Sequence, residues 1–538
     1  MSAQVVVLGA GVAGLSAAQE LAERGYRVAV YESQGSPGGK ARSIPVPGSG
    51  LGGRPDLPGE HGFRFFPGFY KHVTDSMRRI PHGANPHGVF DHLVPATRTE
   101  LARAGQPGIV FPAGLPSSPD DWAAALHALV SAIGVGIPDD EVLFFVDRLL
   151  ILLTSCEERR VAEYEKIPWW QFIDAANKSV QYQRFLAQGQ TRSLVAMQAQ
   201  ESSTRTVGYI LLQLYFGALA SGESFDRLLD GPTSDVWIDP WVAHLESLGV
   251  ELHFDAPVER FEVAQGRVAC VTVAGSEIQA DYYVAAVPVE IMAALVTGDL
   301  GRAAPSLANL GQLRTAWMNG IQFYLGADVP IVHGHTLYVD SPWALTSVSQ
   351  KQFWTSIDLG GYGDGRVAGI LSVDISDWEA PGVLYGKPAV GCSASEIKEE
   401  VWAQIRQHLG ADDAAQLDRA PLLSWFLDPD IRFPNPNQVT NAEPLLINTA
   451  GSLQNRPQAF TEIPNLFLAA DYVRTYTDIA CMEAANEAAR RAVNAILDRD
   501  RSPAARCTLW PLQEPEFFRP MREFDRLRFR LGLPHGPL

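Results

Sequence analysis

Three glycines, Gly9, Gly11 and Gly14, stand in "GAGVAG", and an acid, Glu32, follows Gly14 by eighteen residues. Together they suit a nucleotide. Gly9 permits a tight turn, Gly11 lets the backbone reach a pyrophosphate, and Gly14 lets a helix pack close to a strand. Val12 and Ala13 open that helix, whose N–H groups and dipole face the phosphates. Glu32 has the reach to accept hydrogen bonds from both hydroxyls of a ribose. Beyond it, "SQGSPGGKARS" holds a second glycine turn, Gly38 and Gly39, with Ser33, Lys40, Ala41 and Arg42 around it. Two cations and two glycines there suit a cofactor that extends further across the protein. Far along the chain, "NLFLAADYVRTYTDIACMEAANEAARRA" stops an apolar strand at Asp471 and begins a helix near Met482.

These residues need elements to carry them. Gln4–Leu8 is a β-branched apolar strand, "LSAAQELAERGY" a small-residue helix ending at Gly25, and "RVAVYE" a second strand, which makes a βαβ unit. His244–Pro288 reads as a helix followed by four strands, the last being "YYVAAVP".

The turn after Glu32 resembles that of the flavin amine oxidase and carotenoid desaturase superfamily, whose members follow the ribose acid with GG-(R/K). "GEHGFRFFPGFY", Gly59–Tyr70, is similar to the flavin-adjacent segment of phytoene and ζ-carotene desaturases. The resemblance covers Gln4–Tyr70, His244–Pro288 and Pro464–Leu497. It implies FAD, held by the residues named above with Phe63, Arg64, Phe65 and Phe66, and with the backbone of Val258 at the adenine. It also implies that Asp471 bonds the ribityl chain or the pyrophosphate edge. The helix from Met482, with Ala485, then points its dipole at the flavin ring, where a positive end stabilises reduced flavin. Where the family reads "AGD" and "MEGA", this chain reads "AAD" and "MEAA".

The expected fold is α/β: a Rossmann-type, glutathione-reductase-like FAD-binding domain with an inserted α+β substrate domain. The FAD-binding segments are placed at 1–100, 241–300 and 446–500. A mainly helical insertion falls at 101–240, a sheet with helices at 301–445 and a tail at 501–538. The helical pieces are "DDWAAALHALVSAIG", "DDEVLFFVDRLLILLTSCEER" and "TVGYILLQLYFGALASG"; Val142–Thr154 reads as a buried helix.

Two positions separate substrate classes. Many amine oxidases carry a lysine near flavin N5, matched here to Asn319, and an aromatic before "ME", matched to Cys481. An amine cage needs two flat π faces, which a thiol does not supply. Cys481 is either a thiol activated by a helix N-terminus or a small apolar filler. Arg64 is taken to face flavin or a buried anion; His61 either does the same or satisfies loop carbonyls. Tyr472, Arg474 and Tyr476 are candidates to line the site, and Asp478 to cap the last helix. The catalytic candidates are therefore Arg64, Tyr472, Arg474 and Cys481. No metal cluster, nucleophilic triad or catalytic carboxylate pair stands out, as suits hydride transfer in an apolar tunnel formed by the helical insertion.

A length of 538 residues exceeds one ordinary core. A net charge of −18 argues against nucleic acid, and five scattered cysteines fit a reducing compartment. With no secretory pattern and no apolar run near the roughly 20 residues of a membrane span, a cytoplasmic protein is expected. "EFFRPMREFDRLRFRLGLPH" sets Phe517, Met521, Phe524, Leu527 and Leu531 at helical spacing among five arginines. That tail either docks on an anionic membrane or packs on the acidic body. The resulting expectation is an FAD-dependent oxidoreductase of the phytoene desaturase type acting on a hydrophobic isoprenoid, carotenoid or lipid-like substrate. An atypical amine oxidase and a hydroxysqualene dehydroxylase or isomerase are the alternatives, and the electron acceptor is not specified.

Overall fold

The computed structural model describes residues 3–112, 136–189, 191–192, 197–219, 226–435 and 438–536. "DDWAAALHALVSAIG" and the end of "TVGYILLQLYFGALASG" lie outside them.

A five-stranded parallel sheet forms the nucleotide side, in the order Leu466–Leu468, Tyr282–Ala285, Gln4–Leu8, Arg27–Tyr31, Glu251–His253. Val5–Leu8, Val28–Val30, Tyr282–Ala285 and Leu466–Leu468 are buried, whereas the edge strand Glu251–His253 is largely exposed. The helix Val12–Ala22 is buried from Val12 to Leu21 and packs against the helix Met482–Arg499. Gly14 is obligatory where this helix meets the first glycine turn, since a Cβ there would lie 1.9 Å from the Gly9 carbonyl oxygen. Asn486 and Arg490 reach across from the last helix, Asn486 donating to Ser16 Oγ at 2.7 Å and Arg490 pairing with buried Glu20 at 3.2 Å. An antiparallel ribbon, Val258–Ala264, Arg267–Val273 and Ser276–Ile278, extends the segment between the second and third returns to the sheet.

A seven-stranded sheet stands opposite, in the order Leu422–Leu427, Asn319–Leu325, Gly369–Ile375, Leu345–Ser349, His335–Tyr338, Arg98–Arg103, Gln106–Pro112. Only His335–Tyr338 and Arg98–Arg103 pair in parallel. Its alternation is strict along Gly369–Ile375: Leu371, Val373 and Ile375 pack under the helix Ala394–His408 through Ile397, Val401 and Ile405, while Ser372 and Asp374 take the other face. The Arg98–Pro112 hairpin belongs to this sheet, so the first FAD-binding segment ends before residue 100 and the 101–240 insertion opens with strands.

Helices Asp139–Thr154 and Thr204–Leu219 form a third layer with their own core around Trp169, Tyr182 and Leu211. Asp139–Thr154 is not the buried helix its composition suggested. Phe145, Leu152 and Leu153 point inward, but Val142, Leu143 and Val146 face solvent. Among the described residues no helix is long and apolar enough to cross a membrane.

Candidate active site

A cavity of about 720 Å³ runs from the first glycine turn to the start of the last helix, between the two sheets. At its nucleotide end the two glycine turns touch. Gly9 (φ +106°), Gly38 (φ +103°) and Gly39 (φ +53°) adopt left-handed backbone, and a Cβ on Gly39 would come within 3.1 Å of Gly11 Cα. The groove between them is thus free of side chains. The helix from Val12 has Gly11 at its N-cap and no side chain capping it, which leaves its first N–H groups available to an anion. Glu32 is held by the Ala10 and Gln34 N–H groups at 2.6 and 2.8 Å and by the Ser33 hydroxyl at 3.0 Å. Gly9, Gly11, Val12, Ala13, Ser33, Gly38, Gly39, Lys40, Ala41 and Val258 all line this end.

At the far end Asp471, Cys481, Met482 and Ala485 face the cavity, as do Phe63, Arg64 and Phe65. Cys481 is the N-cap of the last helix, its sulfur accepting from Ala484 N–H at 3.4 Å. Burial nevertheless pushes its thiol up to about 12, outweighing the Ala484 N–H and the Tyr70 hydroxyl. It is a neutral filler rather than an activated nucleophile. Arg64 donates to the Lys40 carbonyl at 2.7 Å and lies 3.8 Å from the buried carboxyl of Glu60.

Several expected site residues lie elsewhere. Phe66 is fully buried behind the wall, edge-on to Trp237 and Tyr70. Arg42 does not reach the cavity, because Asp430 and Glu443 hold it at 3.4 and 3.1 Å. Those two acids and His61 bring ligand atoms within 4.8 Å of one another, but Arg42 pairs with both acids and Arg432 lies 3.8 Å from Asp430, so the group is an ion-pair cluster. Tyr472 is buried with its hydroxyl outside the cavity. Arg474 donates to the Arg456 carbonyl at 2.7 Å instead of touching the site. Tyr476 lies on the surface, stacked under Arg491. Asp478 caps nothing; it binds buried Arg456 and, at 2.6 Å, Arg205. Asn319 points away from the cavity, donating to Asp428 at 2.6 Å, and the neighbours Trp317 and Met318 face it. No lysine occupies either position.

Three further residues were not among the sequence candidates. Arg456 donates to the carbonyls of Tyr472, Asp471 and Val473 at 3.0, 2.9 and 2.8 Å, and so shapes the loop that presents Asp471. Glu483 accepts from the N–H groups of Lys71, His72 and Val73 at 2.7, 2.8 and 2.9 Å, capping the helix His72–Arg79 and locking it to the last helix. Asp374 is the third. It is buried on the cavity face of the large sheet, with Thr346 directly opposite in register, and burial pushes its carboxyl up to about 7 against the pull of Arg64, His61 and His335.

A family model described as flavin containing amine oxidoreductase matches residues 12–497. The chain belongs to that family. It is an FAD-dependent oxidoreductase, and the bare glycine groove, uncapped helix end and ribose acid fit FAD. A 15-cis-phytoene desaturase from Synechococcus elongatus is 24% identical over 534 residues, 95% of this chain and 99% of the relative. A probable zeta-carotene desaturase from the same organism is 32% identical over 121 residues, 21% of this chain and 22% of the relative. Among solved family structures, cyclohexylamine oxidase from Brevibacterium oxydans has a TM-score of 0.61 at 12% identity, covering 93% of this chain and 100% of the oxidase. A putrescine oxidase has the same score and identity, covering 93% and 99%. At such identities these two structures speak for the fold alone.

Proposed function

We propose that the chain is a desaturase- or dehydrogenase-type oxidoreductase that works at a C–H bond of a hydrophobic, isoprenoid- or lipid-like substrate. The observation that carries this reading is the wall of the substrate half: Phe65, Pro67, Phe69, Met197, Ile210, Leu214 and Ile479 converge on the flavin end of the cavity. FAD, when bound, supplies the two-electron hydride chemistry. The protein's share is to bind and orient. The apolar wall desolvates the chain of the substrate and excludes water, while Cys481, Met318 and Trp317 set the space beside the reacting carbon. The full-length likeness to a 15-cis-phytoene desaturase supports the same substrate class.

An amine substrate is the competing reading. Against it stand the neutral thiol of Cys481 at the cage position and the absence of a cavity-facing lysine at 317–319. Anaerobic titration of the holoprotein with polyenes, terpenoid alcohols and amines, followed in the flavin absorbance band, tests the proposal. Bleaching by a polyene or terpenoid supports it. Bleaching by amines with none by isoprenoids overturns it.

A further inference from the structure

The substrate half of the cavity has two unlike walls. The helical wall is apolar, whereas the sheet facing it presents Thr99, His335, Thr346, Asp374 and Ser376 from four adjacent strands. Strand alternation puts Asp374 and Ser376 on one face, and register sets Thr346 directly opposite Asp374. His335 is fixed from behind by Asp226 at 2.5 Å. Asp374 sits against Gly62 so closely that a Cβ there would lie 2.6 Å from Oδ1, and this oxygen has no hydrogen-bond partner among the described residues. Asp374 lines the cavity, and a buried carboxyl oxygen without a partner costs free energy that a hydrocarbon substrate leaves unrecovered.

We infer that Asp374, with Thr346 and Ser376, forms a subsite for a substrate hydroxyl, so that the lipid-like substrate is an alcohol and not a pure hydrocarbon. This rests on the hydrophobic-substrate reading above. Burial raises the Asp374 carboxyl to about 7 against Arg64, His61 and His335, so near neutral pH a protonated fraction can donate to the alcohol oxygen and the ionised fraction can accept from its O–H. The test uses holoprotein and fluorescence-quenching titrations with geranylgeraniol and with the same polyene lacking the hydroxyl. The alcohol should bind at least about tenfold more tightly, the equivalent of ~1.4 kcal/mol. D374L should erase that preference, and D374N, which keeps a donor and an acceptor, should retain part of it. Equal affinities in the parent protein, or a preference unaltered in D374L, overturn the subsite and leave the hydrophobic-substrate reading standing. Binding of neither ligand removes both.

A separate observation concerns the C-terminal helix, Arg519–Arg530. It packs against Asp139–Thr154 the reverse of the usual way: its buried residue is Asp525, which accepts from Arg159 Nε at 2.9 Å and from Cys156 N–H at 2.9 Å. Turning the acid inward turns the apolar stripe outward. Phe517 is 72% and Leu531 66% exposed, with Met521, Phe524 and Leu527 between them, and Leu143 of the adjoining helix is 69% exposed. Large contiguous apolar surface marks an interaction site. Arg519 and Arg530 flank the stripe, each 70% exposed and only loosely paired, with Glu516 at 3.9 Å and Glu158 at 3.7 Å, on a chain whose net charge is −18. The adjoining helix in turn packs on Thr204–Leu219, whose Ile210 and Leu214 line the cavity.

The geometry points to an anionic lipid bilayer as the occupant of this face, with the helix lying in the interface plane. The full chain should sediment with phosphatidylcholine vesicles containing phosphatidylglycerol and less with phosphatidylcholine alone. F524E/L527E should lower that partition at least about tenfold, R519E/R530E should remove its dependence on anionic lipid, and F460E, an exposed apolar position elsewhere, should change nothing. No sedimentation with either vesicle, or full binding by F524E/L527E, overturns the assignment. So does concentration-dependent dimerisation abolished by F524E/L527E without vesicle binding, which would make the face a contact between copies of the chain.

Discussion

Replacing Asp478 by asparagine isolates one charge at the junction of three layers. Asp478 has φ +54°, a conformation asparagine shares readily, so D478N leaves the backbone unstrained. What it removes is the counter-charge of Arg456, whose side chain is 1% exposed, and one of two acids paired with Arg205, which is 10% exposed and keeps Glu157 at 2.9 Å. Thr206 also loses a charged acceptor at 3.1 Å. Breaking a buried pair by removing one partner costs about 3–5 kcal/mol, and burial this complete calls for no solvent discount. Unfolding entropy near ~2.1 cal/mol/K per residue gives about 1.1 kcal/mol/K for a chain of this length, so Tm should fall by about 3–4 °C if the chain unfolds as one unit. Because Arg456 also holds the Asp471, Tyr472 and Val473 carbonyls, FAD retention should weaken in parallel. Thermal unfolding of D478N, R456M and the double variant, each with and without added FAD, measures both effects. The two substitutions should be coupled by at least ~1 kcal/mol. A D478N protein within about 1 kcal/mol of the parent, or fully additive substitutions, would refute the hub.

Other perturbations follow from the same geometry. E32Q loses the charged acceptor for a ribose and should weaken FAD binding by tenfold to hundredfold, about 1.5–3 kcal/mol, read by equilibrium dialysis of the flavin. G14A forces a Cβ to 1.9 Å from the Gly9 oxygen, and purified G14A should carry little FAD even when supplied with excess. The protonated Asp374 carboxyl is favoured by the fold because its pKa rises from 3.8 to about 7. The folded state therefore binds the extra proton, and stability attributable to this group declines as pH climbs through that window. D374N should accordingly raise Tm at alkaline pH and have little effect near pH ~4; a uniform shift at all pH values would contradict this. Cys481 and Cys507, both pushed up to about 12 by burial, should resist alkylation in the native protein at neutral pH.

The nucleotide half was legible because its rules are local. A glycine that must approach a phosphate, an acid at ribose distance and a helix start after a strand leave marks within a few dozen residues, and the glycine turns and Glu32 stand where those marks put them. The loop after Asp471 was not legible. Tyr472, Arg474, Tyr476 and Asp478 are neighbours in sequence, but Arg456 folds the loop back on itself and sends each in a different direction. Asn319 missed the cavity for a simpler reason: side chains alternate along a strand, and a one-residue offset exchanges the two faces. The same alternation offered a signal that went unused. Ser372, Asp374 and Ser376 alternate with Leu371, Val373 and Ile375, and an acid on the polar side of a strand buried throughout marks a face turned to something other than core.

The order of the parallel sheet sets a timetable for synthesis. Its central strand, Gln4–Leu8, leaves the ribosome first, yet its partner Tyr282–Ala285 follows more than half a chain later, and the edge strand Leu466–Leu468 with the helix after it comes almost last. Such distant pairings are slow to form and leave apolar strand edges open meanwhile. Cofactor capture is consequently a late event, possible only once the residues around Asp471 and Met482 have emerged. Nascent chains stalled before them would expose Gln4–Leu8 and depend on chaperones, whatever the supply of flavin.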